Sequence, residues 1–208
     1  MIALEKGDAR WTVTINRPDK ANSLTKEMLR ELEVIFAEAG RADVAALVLT
    51  GEGKVFSAGA DLDEAKAGLA TDGVWERLST RLANLNCLTL CALNGTLAGG
   101  AFGMALACDM RIAVPSAKFF YPVMKLGFLP QPSDPGRLVA LVGPARAKMI
   151  LMGGAKLTAE EAYAFGLIER IVAKDELPGA IDALCADAEA AAPKIRVSIK
   201  DMCNGKPV

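Results

Sequence analysis

The chain has 208 residues, is 52% hydrophobic and 24% charged, and sets 24 Lys+Arg against 25 Asp+Glu for a formal net charge of -1. That is enough chain for one domain with a substantial core, too apolar for a disordered segment, and without the basic excess that recruits nucleic acid or an anionic membrane. There is no histidine, which removes Ser-His-Asp and Cys-His catalysis, histidine metal ligation and imidazole acid–base chemistry; proton transfer falls to Asp, Glu, Tyr, Lys, Cys or water.

The N-terminal residues Met1-Ile2-Ala3-Leu4-Glu5-Lys6 lack a basic stretch followed by an apolar one, so no signal peptide is expected. Ala9–Asn16 alternates Trp, Thr, Val and Ile and reads as a strand, ended by Arg17-Pro18-Asp19-Lys20. Thr25 is placed to cap a helix through Ala39, with Met28, Leu32, Ile35, Phe36 and Ala39 on one face and Gly40 closing it. Ala45–Thr50 is a fully apolar strand, as a strand covered on both faces should be. After the loop Gly51–Phe56 comes Ser57-Ala58-Gly59-Ala60. Then Asp61-Leu62-Asp63-Glu64 has capping-box spacing with Asp in place of Ser or Thr, so a helix should start just after Ala60. Val74–Leu85 reads as a helix, Leu88–Leu93 as a strand, Asn94–Ala98 as a turn, Gly99–Cys108 as a small-residue helix and Met110–Val114 as a strand. Lys125–Gly136 is a Pro/Gly-rich loop. Short helices are expected over Ala145–Met152 and from Thr158, where Thr158-Ala159-Glu160-Glu161 is a full capping box. Ile168–Ala173 is a last short strand, Asp175–Ala191 an Ala-rich amphipathic helix, and Pro193 opens the final segment. The order of elements is α/β, with no fixed-period repeat.

Five cysteines stand at 87, 91, 108, 185 and 203. The odd count and the lack of any Cys-x-x-Cys argue against a disulfide framework or a zinc site and fit a reducing cytoplasm. Leu88–Cys108 has no charged residue and is long enough to span a bilayer. Asn94-Gly95-Thr96 and Gly99-Gly100 break it, however, and Asp109 and Arg111 follow, so a buried strand–turn–helix is the reading taken. Gly51-Glu52-Gly53-Lys54 lacks the third glycine and following helix of a dinucleotide site, and no Gly-Lys-Ser/Thr marks a P-loop.

Two segments share one physical design, a strand, a small-residue turn and then a helix start: Ala58-Gly59-Ala60-Asp61 and Leu97-Ala98-Gly99-Gly100. A helix start leaves backbone N–H groups without intrahelical partners, and small residues let a ligand oxygen reach them. Two such groups aimed at one point form an oxyanion hole for an enolate or tetrahedral anion. Taken alone, either turn is more often a packing device than an anion site.

The joint pattern is more specific. Asn16-Arg17-Pro18 with Lys20-Ala21-Asn22-Ser23-Leu24, then Leu47-Val48-Leu49-Thr50-Gly51 with Phe56-Ser57-Ala58-Gly59-Ala60-Asp61-Leu62, then Asn94-Gly95 with Ala98-Gly99-Gly100 and Ala107-Cys108-Asp109, and finally Gly166-Leu167-Ile168 occur in that order. Together they resemble the crotonase (enoyl-CoA hydratase/isomerase) family from about Ile2 to about Ala191. The resemblance implies an α/β fold, a crotonase-like spiral of ββα units, acting on an acyl-CoA thioester of the kind met in fatty acid metabolism. It implies that Ala60 and Gly100 supply the oxyanion N–H groups. Lys20, Ala21 and Asn22 would lie near the CoA moiety. Ser57, Ala58, Asp61 and Leu62 would line the channel for the pantetheine arm and acyl group, with helix capping the larger part of the role of Asp61. The activity implied is that of a lyase or isomerase. No metal is implied, and no cofactor apart from the coenzyme A carried by the substrate.

The chain departs from the family where protons move. Hydratases of the family use two glutamates, and the matching positions here are Gly103 and Val123. The loop Gly127-Phe128-Leu129-Pro130-Gln131-Pro132-Ser133-Asp134-Pro135-Gly136-Arg137-Leu138 keeps the family's length and gains polar residues. Asp134 is the best carboxylate candidate, with helix capping by Ser133 or Asp134 ahead of Pro135 as the alternative. Tyr121 is a second candidate, since a phenol can donate a proton near an enolate, with an ordinary packed tyrosine as the more common alternative. Phe119, Phe120, Met124 and Phe128 suggest an apolar pocket or core. The sequence ends at Val208, so residues 1–191 are expected to form the spiral domain and residues 192–208 a remnant of a truncated C-terminal helical region. That shortness weakens the family's usual homotrimer. Two functions follow: an enzyme that stabilises a thioester enolate, or a non-catalytic acyl-CoA-binding protein or subunit.

Overall fold

Strand-forming runs alternate with helices along the whole chain, and strand pairing sorts the strands into two sheets. The computed structural model describes residues 1–206. β1 (Ile2–Lys6) and β2 (Arg10–Ile15) form an antiparallel hairpin, Ile2 opposite Ile15 and Lys6 opposite Trp11. α1 (Lys26–Ala39) starts at Thr25, whose hydroxyl accepts from the Met28 N–H, and it buries Met28, Leu29, Leu32, Ile35, Phe36 and Ala39. β3 (Ala46–Gly51) runs parallel to β2, and β4 (Val55–Ser57) passes into the second sheet. α2 (Leu62–Lys66) and α3 (Val74–Ala83) close this unit. The same sequence of events recurs with β5 (Leu88–Leu93), β6 (Thr96–Ala98) and α4 (Phe102–Ala107), and again with β7 (Met110–Ala113), β8 (Lys118–Phe120) and α5 (Val123–Leu126).

β3, β5 and β7 lie side by side and parallel in one sheet, and β4, β6 and β8 do so in the other. Each ββα unit therefore advances one strand in both sheets at once, which is the expected spiral. The units differ in length, β3 to β5 running from residue 46 to 88 and β5 to β7 from 88 to 110. That is why the repeat has no fixed period. β3 and β5 are buried almost throughout; with both faces covered, a strand needs apolar residues at successive positions rather than alternate ones.

The chain finishes with α6 (Asp134–Leu151), β9 (Leu157–Thr158), α7 (Ala159–Phe165), β10 (Arg170–Ile171), α8 (Leu177–Ala190) and α9 (Pro193–Cys203). β10 adds in parallel to β7, and β9 adds antiparallel to β8. α9 is held to the spiral by Lys200, which reaches Asp109 at 2.8 Å and the Cys87 carbonyl at 2.7 Å, and by Arg196 at 3.1 Å from Asp43. Of the segment 192–208, the last two residues lie outside the described residues. No helix among the described residues is long and apolar enough to cross a membrane; Leu88–Cys108 folds as β5, β6, a turn and α4.

Several expectations are corrected. The turn assigned to Asn94–Ala98 ends in β6, and the loop Gly51–Phe56 contains the start of β4. These strands are three residues long and exist through pairing with one another and with β8, a tertiary effect that overrides local propensity. The helix Gly99–Cys108 opens as a 3-10 turn over Gly99–Ala101 before α4 begins. The loop Lys125–Gly136 shrinks, because α5 ends at Leu126 and α6 begins at Asp134. The short helix over Ala145–Met152 is the second half of α6, after Gly143 leaves helical geometry (φ 79°) ahead of Pro144. Gly40 ends α1 in a right-handed conformation (φ -63°), not the left-handed one a closing glycine usually adopts.

Candidate active site

The first small-residue turn is built by hydrogen bonds that leave one N–H over. Ser57 Oγ donates to the Asn22 carbonyl at 2.8 Å and accepts from the Gly59 N–H at 3.2 Å. The Ala58 N–H donates to the Ala21 carbonyl at 3.0 Å. Leu24 pairs with Ala60 in a parallel bridge, donating to the Gly59 carbonyl at 2.8 Å and accepting from the Asp61 N–H at 2.9 Å. In a parallel bridge the residue opposite turns its own N–H to the other side. The Ala60 N–H accordingly points away from Leu24 and finds no acceptor among the described residues.

The second turn lies against the first. Gly59 has φ +91°, and a side chain there would put its Cβ 3.0 Å from the Ala98 carbonyl oxygen and 3.3 Å from the Gly100 nitrogen. Only glycine suits both the conformation and the space. The 3-10 turn that follows β6 leaves its first N–H groups, those of Gly99 and Gly100, ahead of any intrahelical acceptor. Trp75 packs over Gly100, where an added Cβ would lie 3.3 Å from its ring, and its indole N–H is fixed on the Leu69 carbonyl at 2.9 Å. A cavity of about 150 Å³ opens here, with Ala58, Ala60, Trp75, Gly100, Tyr121 and Phe128 among its walls. The structure thus brings Ala60 and Gly100 to one apolar cavity from two different ββα units.

The other predicted binding residues divide. Ala58 and Leu62 line the cavity. Ser57 does not, being wholly buried with its hydroxyl engaged by the turn itself. Asp61 does not line it either. Its carboxylate caps α2 through the Asp63 and Glu64 N–H groups and pairs with Arg17 at 2.8 Å. That guanidinium is the main reason the Asp61 carboxyl titrates below its ordinary range. The capping box is half formed, since Glu64 reaches the Lys26 N–H instead of returning to Asp61. Asn22 is buried at φ 53°, accepting from the Arg17 N–H at 2.8 Å and donating to the Glu52 and Val55 carbonyls. It is a scaffold for the turn and presents no free polar group. Lys20 is exposed and Ala21 half-buried, the latter also left-handed (φ 51°). Phe120 and Phe128 line the cavity, whereas Phe119 belongs to the core and Met124 is exposed on α5. Sequence reasoning missed Arg17 as the partner of Asp61, and Trp75 as a wall; a tryptophan on the buried face of α3 was the available signal.

Asp134 is not among the cavity walls. It is the first residue of α6 and completely buried. Ser133 occupies the cap position without a side-chain cap bond, because its hydroxyl and N–H both go to Glu76 on α3. The capping alternative is therefore set aside for both residues. Asp134 Oδ2 accepts from the Tyr121 hydroxyl at 2.9 Å, and Oδ1 has no hydrogen-bond partner. Burial pushes its pKa up to about 6, opposed in part by the Tyr121 hydrogen bond and the Arg137 charge. Burial and the adjacent carboxylate also push the Tyr121 phenol well above its ordinary value. The space in front of the carboxylate belongs to Gly103: a Cβ there would lie 3.1 Å from Asp134 Oδ1. Val123, at the start of α5, is a cavity wall with no ionisable group.

A larger cavity, about 660 Å³, lies on another side between α3, α4, α6, α8 and α9 and contains none of the turn residues. Of the cations lining it, Arg111 pairs with Glu169, Arg196 with Asp43 and Lys200 with Asp109, while Arg137 donates to the Ser79 hydroxyl at 2.9 Å. No cluster of three or more His, Cys, Asp or Glu side chains suited to a metal ion occurs among the described residues.

The family model for enoyl-CoA hydratase/isomerase matches residues 5–206. YngF of Bacillus subtilis (strain 168) is 38% identical over 196 residues, 90% of this chain and 75% of that one. A 4-chlorobenzoyl coenzyme A dehalogenase of Arthrobacter sp is 31% identical over 210 residues, covering 96% and 76% of the two chains. A short-chain-enoyl-CoA hydratase of Clostridium acetobutylicum is 35% identical over 183 residues, covering 85% and 70%. Among solved structures, an enoyl-CoA hydratase from Bacillus anthracis superposes with a TM-score of 0.89 at 29% identity, covering 98% of this chain and 82% of its own. With a family match over nearly its whole length and the same spiral in solved relatives, this chain belongs to the crotonase, or enoyl-CoA hydratase/isomerase, family.

Proposed function

We propose that the protein binds an acyl-CoA thioester and stabilises its enolate between the backbone N–H groups of Ala60 and Gly100. The observation that carries this reading is the packing of two turns, each with an unclaimed N–H, at one small apolar cavity. Backbone donors held in a dry site need no reorganisation as charge develops on the carbonyl oxygen, and removing one such donor typically lowers kcat about 100-fold or more. The names of the relatives, a hydratase and a dehalogenase of CoA thioesters, support the substrate class. Ala58 and Leu62 face the acyl–pantetheine path, and exposed Lys20 with Ala21 is the side from which the CoA phosphates would be met. Asn22, Ser57 and Asp61 act by holding the turn. Asp134 is the buried carboxylate nearest this chemistry. The reaction belongs to the enolate class, a lyase or isomerase step.

A second reading, an acyl-CoA-binding protein without chemistry, is favoured by Gly103 and Val123, which put no carboxylate in the cavity wall. Enoyl-, 3-hydroxyacyl- and malonyl-type CoA thioesters would separate the two, with binding followed by calorimetry and deuterium uptake at the α-carbon by NMR. The enzyme reading expects exchange or turnover with at least one class. Binding across the panel with neither leaves only the non-catalytic reading.

A further inference from the structure

The cavity walls contain one titratable side chain, Tyr121; the rest are Ala, Gly, Leu, Val, Pro, Phe and Trp. The phenol is stacked on Phe102, ring centroids 5.2 Å apart, and its hydroxyl is committed to Asp134 Oδ2 at 2.9 Å. Asp134 is the sole acidic side chain that is fully buried among the described residues. Its second oxygen is left without a partner against Gly103. A purely structural partner for a tyrosine hydroxyl need not be ionisable, and an unsatisfied buried carboxylate oxygen is an expense that calls for a reason.

We propose that Tyr121 and Asp134 form the proton-transfer pair of this site, with Tyr121 the residue that touches substrate and Asp134 the buried base behind it. The inference rests on the thioester reading above. In the forward direction the α-carbon C–H bond breaks and its proton passes to the Tyr121 oxygen. The phenol's own proton passes in the same step to Asp134 Oδ2. The C–H electron pair enters the new C=C bond, and the negative charge moves from the Asp134 carboxylate to the thioester oxygen, between Ala60 and Gly100. Return of the two protons regenerates the starting state, so no oxidant, reductant or added reactant is required. Asp134 is a positioning and proton-storing residue because it does not reach the cavity. Gly103 belongs to the same arrangement, since a side chain there would meet the carboxylate.

The groups facing Asp134 are Tyr121, Glu76 from α3 and Arg137 from its own helix, while Gly103 of α4 contributes nothing that titrates. For Glu76 burial alone would raise the pKa, but the Ser133 and Thr80 donors outweigh it and hold the carboxyl below its ordinary value. A rate that follows the pair should therefore rise as pH passes about 6, where Asp134 loses its proton, and then level off.

The test is exchange of the α-protons of acetyl-, butyryl- and octanoyl-CoA in deuterated buffer, with binding measured separately by calorimetry. Wild type is compared with Tyr121→Phe and Asp134→Asn from pH 5 to 8. Tyr121→Phe keeps the ring stack, and Asp134→Asn keeps an acceptor for the hydroxyl. Each variant should bind the thioester within about threefold of wild type and exchange about 100-fold more slowly or worse. The rise near pH 6 should be absent from Asp134→Asn. Wild-type exchange rates and pH profile in either variant would overturn the pair while leaving thioester recognition standing. Binding without exchange in wild type overturns the pair alone, and no binding of any of the three probes overturns the thioester reading itself. If a variant melts far below wild type, the wild-type profile decides: exchange that is flat across pH 6 contradicts the pair.

Discussion

The two ends of the cavity are built on opposite principles. At the Ala60–Gly100 end, the proposed chemistry is carried by backbone, and the side chains of Asn22, Ser57, Asp61 and Arg17 are spent on hydrogen bonds within the protein. At the Tyr121–Asp134 end, the proposed chemistry is carried by side chains, and one buried oxygen is left unpaired. A backbone site demands small residues and saturated supports. A proton site demands a group that can change charge, and the fold tolerates its cost. The first end should thus lose stability when altered, and the second should gain it.

The largest effect is expected at Gly59. Gly59→Val forces a β-branched residue to φ +91° and drives its Cβ into the Ala98 carbonyl and the Gly100 nitrogen. Backbone strain and overpacking together give about 3–4 kcal/mol of destabilisation in chemical denaturation, with thioester binding lost. A stable variant that still binds would show that the two turns need not touch. Asn22→Ala comes next. It removes the bonds to the Arg17 N–H and the Glu52 and Val55 carbonyls at a fully buried position, an expected loss of about 3 kcal/mol.

The opposite sign is expected at Asp134. Its carboxyl keeps a proton to about pH 6 in the fold and only to about 3.8 when unfolded. Folding therefore takes up a proton between those values, and wild-type stability falls as pH rises through that window. Against Asp134→Asn, which does not titrate, wild type should lose about 2–3 kcal/mol between pH 4 and pH 7. Parallel melting curves for the two proteins across that range would remove the contrast between the two ends. The smallest effect lies far from both. Thr158→Ala opens the capping box of α7, where Thr158 accepts from the Glu161 N–H and Glu161 from the Thr158 N–H. About 1 kcal/mol should be lost with acyl-CoA binding unchanged.

The same contrast explains what could be read from the sequence. A backbone site writes itself as small residues at fixed places, so Ala58–Asp61 and Ala98–Gly100 were visible, as were α1 with its Thr25 cap and α7 with its capping box. The apolar strands β3 and β5 were visible because both their faces are covered. Strands β4, β6 and β8, three residues each, were not, since their pairing depends on partners from other units. Sequence does not show where a side chain points, so the internal hydrogen bonds of Asn22 and Ser57 were not visible in it. The Tyr121–Asp134 bond spans thirteen residues and the approach of Asp134 to Gly103 crosses units, so the two candidates appeared separately where the structure makes them hydrogen-bond partners.

The central claim is that a thioester carbonyl lies between the Ala60 and Gly100 N–H groups, and infrared spectroscopy tests it most directly. Butyryl-CoA labelled with carbon-13 at the carbonyl would be bound to the protein and its C=O stretch isolated by isotope difference. Two hydrogen bonds from a preorganised site should move the stretch to lower frequency than in water. A bound thioester whose carbonyl absorbs at or above its frequency in water would contradict the account.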